Sequence, residues 1–446
     1  MIKKILTVLV SFTVLPIAVY SVQLFTAVPI GSTAFWWAFQ TLIILLYIGS
    51  IFVFYKKENN KGMFFITIYL LWNIFSIVRG FLFGAETYWD YKGLIGNTFA
   101  LLLPVVVYIV SDKDLLQSVL SYFVKFALPL ALVILLPIPI GAWGWYLFPI
   151  SLLLLLLPNF KKQWKIVLLL VGLVASFGDL STRSHIFKYM VPVLILALYY
   201  FRFFVAYFEI IKNFRIVLLF APWFFLFLGV SGIFNVFRMN EYMNINYIAE
   251  TTNAEGTVKK QDITDDSRTF MYEESIKSAK KHNYWWIGRS PARGNDSEAF
   301  GDEMEEITGR RERLRNEAGI PNLFNWTGII GVILYFFIFI RASSLAINHS
   351  NNIYSKLIGL FVAFHWAYTW VENTGTFTMN TFTIWLLIGI CFSSSFRKMN
   401  NLEVKIWARG IFSKKYVKFL QYLEGNMTKK IPNVKKVIYF ENKVFS

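Results

Sequence analysis

Runs of apolar residues long enough to cross a bilayer recur along this chain, and they limit its fold more than any other feature. A helix rises about 1.5 Å per residue, so roughly 20 apolar residues span a hydrocarbon layer of about 30 Å. Such runs lie near 5–28, 34–55, 63–83, 94–110, 119–138, 142–158, 164–180, 186–204, 214–234, 322–340, 353–371 and 377–395. Lipid offers backbone groups no hydrogen bonds, so each run has to bond within itself, as a helix does. Only 16% of the residues are charged and 56% are hydrophobic, against about 25% charge in an ordinary soluble chain. The expectation is an all-α integral membrane protein of about twelve transmembrane helices. Trp36–Trp37, Trp143, Trp145 and Tyr199–Tyr200 stand at run ends, where amphipathic rings favour the headgroup layer.

Charge placement orients the spans. With the amino terminus inside, the expected cytoplasmic connections carry Lys3/Lys4, Lys56/Lys57/Lys61, Lys113, Lys161/Lys162/Lys165, Arg202/Lys212/Arg215 and Arg341/Lys356. The short outer connections carry chiefly Lys92 and Arg183. That asymmetry places both ends in the cytoplasm of a bacterial inner membrane. The opening Met1-Ile-Lys3-Lys4 and Ile5–Val22 resemble a secretory signal, but the charge topology favours a retained first helix. Past the last run, residues 397–446 hold 12 Lys/Arg and three acids. The net charge of +17 is therefore largely a juxtamembrane basic tail, and nucleic acid is not an expected partner.

Four regions follow: helices one to nine over 1–236, a large loop over 237–321, helices ten to twelve over 322–396, and the tail. The loop would be periplasmic. It holds 16 Asp/Glu and 13 Lys/Arg, and its patterning predicts mainly helical folded structure rather than a tether. Residues 265–280 read as a helix with acids early and lysines late, as the helix dipole favours. A second charged helix is expected over 297–317, with Gly288, Pro291 and Gly294 marking the turn between them.

Gly-rich nucleotide loops, zinc-binding helices and paired cysteines are lacking, and Cys391 stands alone. No cofactor or metal is expected. The candidates are ionisable groups at the outer membrane face, because a charge at membrane depth costs several kcal/mol unless paired or wetted. Asp179, Arg183 and His185 meet in Gly178-Asp-Leu-Ser-Thr-Arg-Ser-His185. An interfacial salt bridge ending a helix explains them as readily as a site does. Glu372 ends the eleventh span on the same face, and Arg79 in the third span is expected to snorkel outward. In the loop, Arg289 and Arg293 sit among glycines and small polar residues, an arrangement suited to phosphate or to plain solvation. Arg268 opens its helix where the dipole gives a cation no help. Arg310-Arg-Glu-Arg-Leu-Arg315 is read mainly as structural pairing of opposite charges.

Four stretches and the architecture resemble the O-antigen polymerase (Wzy) family within the O-antigen polymerase/ligase superfamily. They are Tyr88-Trp-Asp-Tyr-Lys92, Asp179-Leu-Ser-Thr-Arg-Ser184, the segment from Ser267-Arg268 to Trp285-Trp-Ile-Gly288, and Asn316-Glu-Ala-Gly-Ile-Pro-Asn-Leu-Phe-Asn-Trp-Thr-Gly-Ile-Ile-Gly331. Related ligases carry a histidine just before the glycine pair that opens the helix after the loop. Here that stretch holds Glu317, Asn322 and Asn325 and no histidine, which favours polymerase. An arginine followed by glycine eleven residues on, a spacing of some polymerase loops, is absent, so the arginines stay unranked.

The resemblance implies metal-independent, inverting glycosyl transfer between undecaprenyl-pyrophosphate-linked oligosaccharides. Arg183, Arg268, Arg289 and Arg293 would stabilise the pyrophosphate, with Glu317 or Glu372 taking the acceptor's proton. Asp179, Asn322 and Asn325 would contact glycan or support the site. A chain-length regulator is a further possible partner beside the membrane lipids. The alternatives are a ligase delivering glycan to a lipid or protein acceptor, and a transporter of the same lipid-linked sugar. The transporter reading lacks the two related halves usual there.

Overall fold

The computed structural model describes residues 1–26, 30–56, 60–178, 183–201, 207–238, 242, 248–252, 258–262 and 268–427. The chain is a helical, multi-pass membrane protein. Among the described residues eight helices are long and apolar enough to cross a bilayer: Ile2–Phe25, Thr33–Phe54, Gly62–Gly84, Tyr88–Val110, Lys113–Ile134, Ser184–Phe201, Phe208–Val230 and Gly319–Asn348. Their outward faces are as apolar as their buried ones. Phe52 is 91% exposed, Leu132 74% and Phe227 67%, a surface that water does not tolerate and lipid does.

The other expected spans are shorter or broken. The 142–158 run divides into Trp143–Tyr146, Pro149–Leu155 and a 3₁₀ turn at Leu157–Asn159. Pro149 and Pro158 lack the amides that a continuous helix needs, and the segment is buried among its neighbours rather than facing lipid. Lys162–Phe177, Ile353–Thr369 and Met379–Phe392 are single apolar helices of 16, 17 and 14 residues.

Positive residues gather at one end of the bundle. Lys3 and Lys56 pair with the buried Asp112 at 3.5 and 3.4 Å. Burial raises the pKa of that carboxyl, but the two lysines and the amides of Asp114 and Leu115 outweigh it and hold the pKa below its usual value. At the same end the described part of the basic tail, through residue 427, is helical. Asn401–Gly410 and Lys414–Met427 are amphipathic helices, and Trp407 is buried with its indole donating to the Lys113 carbonyl at 3.0 Å.

The loop occupies the opposite end and is less helical than expected. Its described parts are an antiparallel pair, Ile248–Thr252 with Val258–Asp262, and a loop helix, Thr269–His282. A two-residue ladder, Asn295–Asp296 with Glu312–Arg313, and a short helix, Gly301–Thr308, complete it. The second expected helix stops early because Gly309 turns left-handed (φ 75°) and the chain then pairs as a strand. The acids expected to start the loop helix, Asp265 and Asp266, lie outside the described residues.

A break in the Gly319–Asn348 helix docks the loop to the bundle. Gly328 has φ 69°, and a Cβ there would lie 2.1 Å from the Trp286 carbonyl oxygen. Gly288, also left-handed, crosses it, and its Cβ would lie 2.5 Å from the Gly328 nitrogen. Ile329 then donates its amide to the Trp285 carbonyl at 2.9 Å. Arg79 does run outward from its span, but ends on the loop, donating to the carbonyls of Ile287 (2.7 Å) and Gly288 (2.8 Å).

Candidate functional site

The loop helix carries a different chemistry on each side. Thr269, Tyr272, Glu273 and Ile276 recur at i, i+3, i+4 and i+7, and all line one groove. Glu274, Lys277, Ser278 and Lys281 follow the same spacing on another face and line a second cavity.

The groove, of about 550 Å³, runs between the loop helix, the Phe208–Val230 span and the loop-side end of Ile353–Thr369. Its walls are apolar, with Leu218, Ala221, Phe225 and Leu226 on the membrane side and Arg238 at the loop side. Tyr272 fixes its roof. The ring stacks on Trp370 (6.1 Å, 6°) and on Phe237 (5.8 Å, 23°), and the hydroxyl donates to the Trp370 carbonyl at 2.5 Å. Burial pushes that phenol's pKa far up, so it stays a neutral donor. Arg268, just ahead of the helix, donates from Nε to the Val371 carbonyl at 2.9 Å and pairs with Glu317 at 3.3 Å. Glu317 also lies 3.6 Å from Arg313, yet its side chain remains 61% exposed. The sequence-predicted pair Arg268 and Glu317 therefore does meet, beside the groove.

The second cavity, of about 560 Å³, is lined by charged side chains. Arg289 reaches Asp296 at 3.0 Å and Glu312 at 2.9 Å, and Arg293 donates through Nε to Glu312 at 2.9 Å and through Nη2 to its other oxygen. Those bonds raise the pKa of Arg293. Partial burial pushes the pKa of Asp296 up, but hydrogen bonds from Lys281 (2.7 Å) and His282 (2.9 Å), with the Arg289 charge, hold it at about 2. Both signs line this cavity, so it offers donors and acceptors together, the pairing that sugar hydroxyls require. Arg289 and Arg293 are not bare anion clamps, because each already has carboxylate partners.

Asn322 and Asn325 are enclosed in a polar knot under the loop. Asn322 bonds the backbone of Asn316 on both sides, at 2.6 and 2.8 Å. The Asn325 side-chain amide donates to Asn295 at 3.0 Å, and the Asn325 backbone carbonyl receives the Arg289 amide at 2.6 Å. These side chains are spent on bonds within the loop and its junction with the bundle. Glu372 is spent as well. It accepts from Lys188 at 3.1 Å, and Lys188 has no exposed surface and lies 3.9 Å from the Trp145 ring centroid. Asp179 lies outside the described residues, as does the side chain of Arg183, which begins the Arg183–Phe201 helix.

Sequence reading missed Lys188 and Tyr272, both inside otherwise apolar or routine stretches. It also read Arg315 as part of a structurally paired run, whereas Arg315, unlike the six other arginines from 268 to 313, has no carboxylate partner among the described residues. No protein-family model matches the chain, and no curated protein matches it.

Proposed function

We propose that this protein is an oligosaccharide repeat-unit polymerase of the bacterial inner membrane. It would transfer a growing glycan from undecaprenyl pyrophosphate to a lipid-linked repeat unit on the outer leaflet. In this reading twelve helices cross the membrane, both ends are cytoplasmic, and the loop is periplasmic. The observation that carries it is the loop helix, with an apolar groove on one side and a charged cavity on the other. A substrate that is hydrocarbon at one end and sugar at the other needs both surfaces close together. A polar glycan alone would leave the groove unused, and a plain lipid would leave the cavity unused.

The chemistry follows from the groups at the junction. The acceptor hydroxyl attacks the anomeric carbon, forming the new C–O bond. The bond from that carbon to the pyrophosphate oxygen breaks, and the leaving group takes the electron pair. Arg268, fixed by the Val371 carbonyl, stands where that negative charge grows. Glu317 is the carboxylate open to an acceptor and takes the hydroxyl proton, whereas Glu372 is committed to Lys188. The sugar would lie against the charged cavity, with Asp296 and Glu312, each paired with Arg289, as acceptors.

The test is a gel of surface polysaccharide from cells lacking the protein. Single repeat units on the surface without a ladder support polymerisation. Polymer stranded on its lipid carrier would mean ligation instead, and no glycan on the outer leaflet would mean transport.

A further inference from the structure

Seven arginines lie between residues 268 and 315. Six have carboxylates on them: Arg268 and Arg313 share Glu317, Arg289 and Arg293 share Glu312, Arg310 takes Glu86 and Asp90, and Arg311 takes Asp302. Arg315 has none among the described residues. Its Nε donates to the neutral Asn97 Oδ1 at 2.7 Å, and Asn97 is itself oriented by donating to the Pro291 carbonyl at 2.8 Å. Four guanidinium N–H groups are left without a protein acceptor among the described residues. The side chain is nevertheless exposed, so those donors can be reached from outside the protein.

Its depth makes this arrangement costly. Asn97 lies nine residues into the helix that starts at Tyr88, about 13 Å along its axis. Gly96 adjoins it, and a Cβ there would lie 2.7 Å from Arg315 Nη2, so the guanidinium rests against bare helix backbone. Tyr20, five residues before the end of the first span, lies close enough to Arg315 for the two side chains to interact electrostatically. The surrounding protein desolvates the guanidinium and lowers its pKa. A cation set down beside two spans, with no counter-charge, is what an anionic ligand would compensate. The polar supply continues nearby. Ser21 accepts the Met379 amide at 2.7 Å, and the adjoining Asn380 is buried with neither amide atom bonded.

We propose that Arg315, with Asn97, Gly96 and Tyr20, forms a binding site for a phosphate or pyrophosphate oxyanion at the outer membrane boundary. A guanidinium whose Nε is held elsewhere presents its two Nη groups as a fork, the geometry that matches two phosphate oxygens. The site abuts different helices from the apolar groove, and it stands whether or not the chain transfers glycan.

The test is equilibrium binding of radiolabelled farnesyl phosphate to the full chain in phosphatidylcholine nanodiscs. Arg315→Gln is expected to weaken binding at least tenfold, Arg315→Lys less, and farnesol is expected not to compete. Competition by inorganic pyrophosphate at equal concentration would place the oxyanion's source in solution. Its failure to compete would place it on a lipid. Arg315→Gln binding as wild type, with the loss appearing in Arg268→Gln instead, would overturn the proposal. Unchanged thermal unfolding of Arg315→Gln separates lost binding from lost folding.

Discussion

Breaking the Lys188–Glu372 pair from one side should be far more harmful than removing it altogether. The ammonium has no exposed surface and the carboxylate side chain is 9% exposed, at 3.1 Å. Glu372→Gln keeps shape and volume but leaves Lys188 without a carboxylate, facing the rings of Trp145 at 3.9 Å and Tyr368 at 5.9 Å. Removing one partner of a buried pair costs about 3–5 kcal/mol, whereas replacing both with neutral groups is often near neutral. The turn that Glu372 occupies multiplies the damage. Carbonyls of Trp370, Val371 and Glu372 receive Tyr272, Arg268 and the Gly319 amide. Scaling a domain's thermal response to this chain length gives a fall in Tm of about 3–10 °C for Glu372→Gln. The double variant Lys188→Met/Glu372→Gln should regain most of it. Thermal unfolding in detergent measures both, and polymer formation in cells supplies a second readout. A double variant as unstable as the sum of its singles would refute the argument, because no coupling would then exist between the two sites. A stable double variant without polymer would instead make Glu372 a direct participant.

Other expectations concern the loop and its two cavities. Glu317→Gln should reduce polymer at least a hundredfold at normal protein level, and a normal ladder on the gel would remove Glu317 as proton acceptor. Ala221→Trp should crowd the groove and cut polymer about tenfold while leaving the Tm within a degree or two; activity at wild-type level would show that the groove holds no substrate. Asp296 has a depressed pKa, so its contribution to loop stability is full above 3.8 and is lost as pH falls toward about 2. Protease resistance of the loop should fall over that window in the wild type, and Asp296→Asn should lack that acid-dependent step. Gly328→Ala should cost several kcal/mol through its left-handed backbone and the Trp286 carbonyl at 2.1 Å, read as lower yield of folded protein.

Spans were legible where a run is unbroken, because length and hydropathy alone decide whether a helix can sit in lipid. The 142–158 run misleads for a stated reason. Hydropathy is blind to the missing amides of Pro149 and Pro158, so a divided segment reads as one continuous helix. At the site, arginine clustering was visible and its pairing was not. Arg289, Arg293 and Glu312 are brought together by a two-residue ladder, Asn295–Asp296 with Glu312–Arg313, too short to leave a periodic signal. Arg313 and Arg315 look alike in sequence, yet one pairs with Glu317 and the other reaches Asn97 on a distant helix. Lys188 hid because a lone lysine in an apolar stretch is read as a helix end, and only its partner 184 residues away shows it to be buried.

The position of the loop helix explains why such a reaction would need so many helices. A glycan leaving one lipid carrier for another has to be held while both hydrocarbon tails stay in the membrane. The groove lies along the Phe208–Val230 span, and the helix that roofs it is tied by Arg268 and Tyr272 to carbonyls at the end of Ile353–Thr369. That same turn is anchored from inside the bundle by Lys188. Arg79 and the Gly288–Gly328 crossing fix the loop's other side. Together these ties join the loop to three spans, Gly62–Gly84, Gly319–Asn348 and Ile353–Thr369, so the distance between groove and charged cavity is set by the bundle rather than by the loop. Rigid spacing of that kind is what positioning two tethered reactants demands, since misplacement by about 1 Å can cost a hundredfold in rate.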